Sequence, residues 1–241
     1  MSESSIPADI VALAEERLEA RIERDYPRAD ALKARIEAAG WRVVDEGLTY
    51  GLEPARTLDR IEDGQTVYGS VASVPTIDVI EAEASVLVVC AGDCDATLAA
   101  LAQHTPAGTQ LVVIAPREVS VATPVDELVR TVEPWSAGDA VEAGIRRASG
   151  AVVIVLEAGR VVSGDPISPL VEALRQTDVA VAAAEGLVST DLHRFRPSVA
   201  REVTTVASGC YAFRRDEARA RGPVDGRLRL PHSVAMWLGL L

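Results

Sequence analysis

Ser85-Val86-Leu87-Val88-Val89-Cys90-Ala91 is the stretch on which the fold turns. A strand with one wet face alternates apolar and polar side chains; this one is apolar at almost every position, the pattern of a strand covered on both faces. Working outward, Gly92-Asp93-Cys94-Asp95 is a turn with an acidic residue placed to cap a helix, and Thr97–Gln103 reads as that helix. Gln110–Ala115 is a second buried strand and Val129–Pro134 a third. Asp139–Ser149 is a helix stopped by Gly150, Ala151–Leu156 a fourth strand, Ser168–Gln176 a helix and Val179–Ala184 a fifth strand. Strands alternating with helices predict right-handed βαβ units, and so an α/β fold with a mostly parallel, Rossmann-like sheet flanked by helices.

Upstream the period changes. Residues 9–40 predict a helical hairpin, with Ile10, Leu13, Ala14 and Leu18 on one stripe and Ala29, Leu32, Ile36 and Ala39 on another. Pro27 falls in the first turn of the second helix, where a missing N–H costs nothing, and Gly40 followed by Trp41 suits a helix end. Trp41–Val44 reads as a short strand. Residues 52–83 show no period; Thr57-Leu58-Asp59 and Asp63-Gly64 are turns and Pro75 interrupts an extended stretch. The expected division is a hairpin module over 1–50, a linker over 51–83 and an α/β domain over 84–241.

The hairpin resembles a segment near the C-terminus of cysteinyl-tRNA synthetases, on Arg17, Ala20, Arg21, Asp25, Tyr26, Ala29, Asp30 and Leu32, then Gly40-Trp41 and Val44-Asp45. The HIGH-type and KMSKS-type signatures of those enzymes are absent from the chain, so the resemblance implies no aminoacylation. It leaves a packing or interaction module, or an RNA-associated one; the 11 acidic against 7 basic residues of positions 1–50 count against the latter.

Composition narrows the classes further. With 48% hydrophobic and 25% charged residues the chain has enough apolar surface to fold, and with aromatics at 4% its core falls to Val, Leu, Ile and Ala. A net charge of −12 repels phosphate backbones and disfavours nonspecific nucleic-acid binding. The apolar runs are strand-length, far below the ~20 residues of a membrane-spanning helix. The N-terminus lacks the basic and apolar regions of a secretion signal, so the expected location is cytoplasmic. Cys90, Cys94 and Cys210 are odd in number, and His104, His193 and His232 are scattered. They make no zinc set, and the cysteines are expected to be reduced. No GxGxxG or GxxxxGK[ST] run is present, so dinucleotide and P-loop readings lose ground. The apolar end Val234–Leu241 must dock on the core or a partner, or be continued by further chain.

Ligands of open α/β sheets bind beyond the carboxyl ends of the strands. The candidate rim is therefore Ala91–Asp95, Pro116–Glu118 and Glu157–Arg160, with later loops near Gly209 and Gly222–Asp225. Two stretches carry a likeness here. One is Ala143-Gly144-Ile145-Arg146-Arg147-Ala148-Ser149-Gly150 with the strand that follows it. The other is Val206-Ala207-Ser208-Gly209-Cys210-Tyr211-Ala212-Phe213-Arg214-Arg215 with Gly222-Pro223-Val224-Asp225. In order and texture, residues 84–230 resemble the family 2 glycosyltransferases of GT-A fold. The resemblance implies inverting transfer of a sugar from a nucleotide sugar to an acceptor, with Mg²⁺ or Mn²⁺ holding the nucleotide diphosphate.

The family places a D-x-D pair after the strand that here ends at Leu156; this chain has Glu157-Ala158-Gly159 and keeps one carboxylate. Its acidic residue after the second strand is replaced by Ala115-Pro116, and no acid follows Asp225 where its late general base would stand. Carried across, Glu157 is the metal ligand, Asp93 and Asp95 are nucleotide or diphosphate contacts, and Asp225 is the base. The plainer alternatives are a solvated rim carboxylate at Glu157 and a helix N-cap at Asp95; Arg214 and Arg215 read as surface or ion-paired residues. Arg160 enters by its chemistry and not by the family's pattern: it is expected to replace the cation by binding the diphosphate directly, since guanidinium meets phosphate bidentately. Two functions follow: a transferase using a nucleotide sugar, or a catalytically inactive relative acting as a binding or scaffold protein, which the departures at D-x-D and base favour. The acceptor and the oligomeric state are not written in these residues.

Overall fold

The computed structural model describes residues 6–46, 49–55, 57–190, 196–198, 203–206, 209–229 and 231–239. It separates the chain into two units, Met1–Leu58 and Asp59–Leu241. His193, Ala207, Ser208, Leu230, Leu240 and Leu241, all of which enter the sequence reading, lie outside the described residues.

In the first unit α1 (Ala8–Ile22) and α2 (Tyr26–Ala38) precede β1 (Trp41–Glu46) and β2 (Thr49–Pro54), which pair antiparallel with Trp41 opposite Pro54. The Asp25 carboxylate starts α2 by accepting the Arg28 N–H at 3.2 Å. Gly40, at φ +83°, makes the turn into β1 that a side chain would strain. Ile10, Ala14, Ile36 and Val43 form the core. Beside it the buried Arg17 donates to both carboxylate oxygens of Asp45, at 2.7 and 3.1 Å, and Arg21 joins the same carboxylate. The Arg17 guanidinium holds the Asp45 carboxyl below the usual carboxylate range. The hairpin is thus half of an ααββ unit.

The second unit is built on one large sheet. Its strands are β3 (Arg60–Glu62), β4 (Gln65–Tyr68), β5 (Ala82–Val89), β6 (Thr109–Pro116), β7 (Glu127–Thr131), β8 (Gly150–Glu157), β9 (Val181–Ala183) and β13 (Cys210–Arg214), in the order β3-β4-β7-β6-β5-β8-β13-β9. Neighbours from β4 to β8 are parallel, whereas β3, β13 and β9 are antiparallel to theirs. The small strands β10 (Gly186–Val188), β11 (Arg196–Ser198) and β12 (Thr205–Val206) form a separate three-stranded sheet. Helices α3 (Asp95–His104), α4 (Ala137–Arg147), α5 (Ser168–Leu174), α6 (Arg215–Arg221) and α7 (Pro231–Gly239) complete the unit. The α/β class and the mostly parallel sheet expected from the sequence are present.

The stretch read as a linker does more than connect. Its first residues belong to β2, and β3 and β4 extend the sheet by pairing on β7. Strands of three and four residues around the Asp63-Gly64 turn are too short to show a period, so their partner supplies the signal that the local sequence lacks.

Each buried strand feeds two cores. Leu87, Val112, Val153, Val155, Tyr211 and Phe213 pack with α4, α6 and α7. Val86, Val88, Val113, Ile154 and Ala212 pack with residues of α3 and α5. Val234, Ala235 and Leu238 of α7, in the described part of the apolar C-terminal stretch, lie in the first core. Ser85, the one polar residue of the opening run, is fully buried and satisfied. Its hydroxyl donates to Gln110 Oε1 at 2.6 Å and accepts the Gly150 N–H at 2.8 Å, while Gln110 also takes the Ser149 N–H at 2.7 Å.

Candidate functional site

From β5 the chain steps sideways to β6 and on to β7, then returns to lay β8 against the other edge of β5. Helix α3 follows β5 into one layer and α4 precedes β8 from the opposite one. The carboxyl ends of β5 and β8 therefore part at a topological switch point, where such sheets leave a crevice. A cavity of about 480 Å³ lies there. One wall is Val89 and Ala91–Asp93, a second is Val155–Gly159, a third is Trp135, Ala137 and Val141 at the start of α4, and Arg229 completes it.

The polar groups are few. Asp93 Oδ1 accepts the Asp95 N–H at 3.0 Å, so Asp93 shapes the turn into α3. The N-cap position itself is Cys94, and Asp95 sits in the first turn with Oδ1 facing the Ala122 N–H at 3.4 Å. Glu157 ends β8; its N–H donates to Gly209 O at 2.7 Å, and its carboxylate lies so close over Gly209 that a Cβ there would meet Oε2 at 1.9 Å. Arg160 Nε approaches the same carboxylate at 3.8 Å. The Gly159 N–H donates to Thr97 Oγ1 at 3.0 Å, tying the loop after β8 to α3. On β13, beside β8, the fully buried Tyr211 hydroxyl has no partner among the described residues; burial, and then the Glu157 charge, raise its pKa.

Of the residues singled out in the sequence, the fold brings Asp93 and Glu157 to the cavity wall; Asp95, Arg160 and Asp225 stand outside the wall. Asp225 binds Arg227 through Nε and Nη2 at 2.7–3.1 Å, and that guanidinium holds its carboxyl at about 2. Leu228 N–H donates to Asp225 O, and Gly138 N–H to Leu228 O, so the segment leading to Arg229 is laced to the start of α4. Arg117 of the Pro116–Glu118 rim pairs with Glu62, and Arg214 with Glu217. Arg215 is ion-paired to Asp216 as expected, yet buried rather than on the surface. Trp135 and Arg229 are the site residues that sequence reasoning passed over. Arg229 stands in the run Gly226–Pro231, which draws attention for its lack of acids and not for its cation.

The cysteines differ from expectation: Cys90 and Cys94 form a disulfide with Cα atoms 5.8 Å apart. Both ends of the cavity-lining loop Ala91–Asp93 are thereby tied together.

No family model matches the chain. A search of solved structures finds GalNAc-T7 with UDP, GalNAc and Mn²⁺ at a TM-score of 0.51 and 14% identity, over 68% of this chain and 40% of that one. The fold matches that of glycosyltransferases. Mannosyltransferase PcManGT from Pyrobaculum calidifontis, in complex with GDP-Man and Mn²⁺, aligns at 0.44 and 14% identity over 70% of this chain and 57% of its own. Among curated proteins, the cysteine–tRNA ligase of Opitutus terrae is 45% identical over 53 residues, 22% of this chain and 12% of that enzyme. The chain thus spans under half of the first structural neighbour and about an eighth of the ligase. No described helix is long and apolar enough to cross a membrane.

Proposed function

We propose that the Asp59–Leu241 unit is a glycosyltransferase-like protein that takes a nucleotide sugar in the cavity between β5 and β8. The observation that carries this reading is the cavity itself, set at the switch point of a sheet with the glycosyltransferase fold. Inverting transfer would break the bond between the sugar's anomeric carbon and the diphosphate while an acceptor oxygen attacks from the other face and gives up its proton. The first unit is proposed as a separate packing or interaction module; the acidity of residues 1–50 argues against an RNA-associated one.

A second reading, a non-catalytic relative that binds or scaffolds, is favoured by Asp225. A base must accept a proton, and a carboxylate held at about 2 by Arg227 accepts one poorly. Mg²⁺ or Mn²⁺, implied by the resemblance, fits the cavity badly. A hard cation takes about six oxygen ligands. The wall offers two carboxylates, one accepting the Asp95 N–H and one beside Arg160, and no group of three or more candidate ligands occurs among the described residues.

The test is thermal unfolding with UDP, GDP, dTDP and CDP in turn. A ligand at 100 times Kd stabilises by about 2.7 kcal/mol, and each kcal/mol moves the midpoint roughly 2–4 °C in a unit of this size. A rise of about 5–10 °C with one nucleotide is expected; no shift with any of them removes the nucleotide-sugar reading. Release of that nucleoside diphosphate from its sugar conjugate then separates enzyme from binder.

The proposed cytoplasmic location meets the Cys90–Cys94 disulfide, a bond rare in reducing compartments. Chains purified without reductant and then unfolded should titrate one thiol each, that of Cys210; three would show that the pair is reduced.

A further inference from the structure

We propose that Arg229 stands where a divalent cation would otherwise be needed, binding the phosphate oxygens of the cavity's ligand directly. The inference rests on the reading that this ligand is a nucleoside diphosphate. A diphosphate brings two or more negative charges into a cavity whose walls already carry Asp93 and Glu157, so some cation must meet it there. The carboxylates are poorly disposed to recruit one. Asp93 is committed to the Asp95 N–H, and Glu157 lies against Gly209 with Arg160 beside it.

Arg229 has the opposite disposition. It lines the cavity, is exposed, and makes no hydrogen bond or ion pair with any described residue. In a chain of net charge −12, where Arg117, Arg175, Arg214 and Arg227 all find a carboxylate, a guanidinium left unengaged at a cavity is set apart. Its backbone is anchored one residue earlier, where Leu228 O takes the Gly138 N–H, so the cation is presented from a fixed point. Guanidinium offers a planar fork of donors that matches phosphate oxygens bidentately and keeps its charge at every working pH.

Calorimetric titration of the full chain with UDP, and with inorganic pyrophosphate, in EDTA and then in Mn²⁺, tests this. UDP is expected to bind in EDTA and to weaken at least tenfold in Arg229→Ala, with partial recovery in Arg229→Lys. Glu157→Gln should bind UDP in EDTA as tightly as the unmodified chain or more tightly, since it removes a repelling charge. Arg175→Ala, at the far end of the sheet, should bind normally, and the melting temperature of each variant checks its folding. UDP binding that requires Mn²⁺, survives in Arg229→Ala and is lost in Glu157→Gln overturns the proposal and leaves the nucleotide reading standing. Pyrophosphate bound in EDTA through Arg229, with no binding of UDP, GDP, dTDP or CDP, supports the anion site and overturns the nucleotide reading. No binding of pyrophosphate or of any of UDP, GDP, dTDP and CDP in either condition overturns both.

Discussion

Replacing Gly150 with alanine is expected to destabilise the Asp59–Leu241 unit by about 3 kcal/mol or more. Gly150 begins β8, opposite Ala82 of its parallel partner β5. A Cβ added there would lie 2.3 Å from both Ala84 C and Ser85 N. Those are backbone atoms of a strand buried on both faces, with no rotamer to yield; β8 must move instead. Movement breaks the bond from Gly150 N–H to Ser85 Oγ and disturbs the Ser85–Gln110–Ser149 network that satisfies buried polar groups. Overpacking costs about 1–3 kcal/mol, and a buried polar group left unpaired about as much again. The melting midpoint should fall by roughly 6–12 °C, followed by circular dichroism. Gly164→Ala, where a Cβ would meet nothing within 4 Å, is the control and should stay within about 0.5 kcal/mol of the unmodified chain. A Gly150→Ala midpoint within 2 °C of the parent would show that β8 does not approach β5 so closely.

Arg215→Met should cost about 3 kcal/mol. Arg215 is 2% exposed, a placement that arginine reaches only when its donors are used. They are: its guanidinium donates to Val79 O and Ala148 O at 3.0 Å and to Asp78 O at 3.3 Å. Arg219 adds bonds to Ile77 O at 2.8 Å and Ile145 O at 3.0 Å. Two arginines on one helix thus gather the carbonyls at the end of α4 and clamp the segment before β5 against them, with positive charge at the negative end of the helix dipole. Methionine keeps much of the stem's volume and removes every donor, leaving those carbonyls short of partners. Lysine keeps the charge as a single point and should recover only part of the loss. Urea unfolding measures both; a Met variant within 1 kcal/mol of the parent would mean that the clamp contributes little.

Both residues were visible in the sequence, but their roles were not. Gly150 reads as a helix stop, and it does follow α4 closely; that it also abuts β5 depends on a residue 65 positions away. Arg215 reads as a surface or ion-paired residue because arginine usually is one; the carbonyls that bury it lie up to 137 positions off. The same holds at the cavity. Asp93 and Glu157 were found because they follow strands, and strand ends are predictable. Arg229 and Trp135 follow no such rule: Arg229 reaches the wall through the hydrogen bonds that lace residues 225–228 to the start of α4, and Trp135 stands just ahead of that helix.

What the sequence alone determined is the class: in the second unit five strands, three of the helices and the mostly parallel sheet, because burial on both faces leaves an unbroken apolar run that neighbouring residues reveal to one another. What only the tertiary structure decided is everything that depends on a partner. Strands β3 and β4 exist on the edge of β7, β13 inserts antiparallel between β8 and β9, and Cys90 finds Cys94 across one turn. Short strands draw stability from the edge they join, and a polar side chain takes its role from whichever group the fold sets within about 3 Å. Neither distance is encoded in the spacing of residues along the chain.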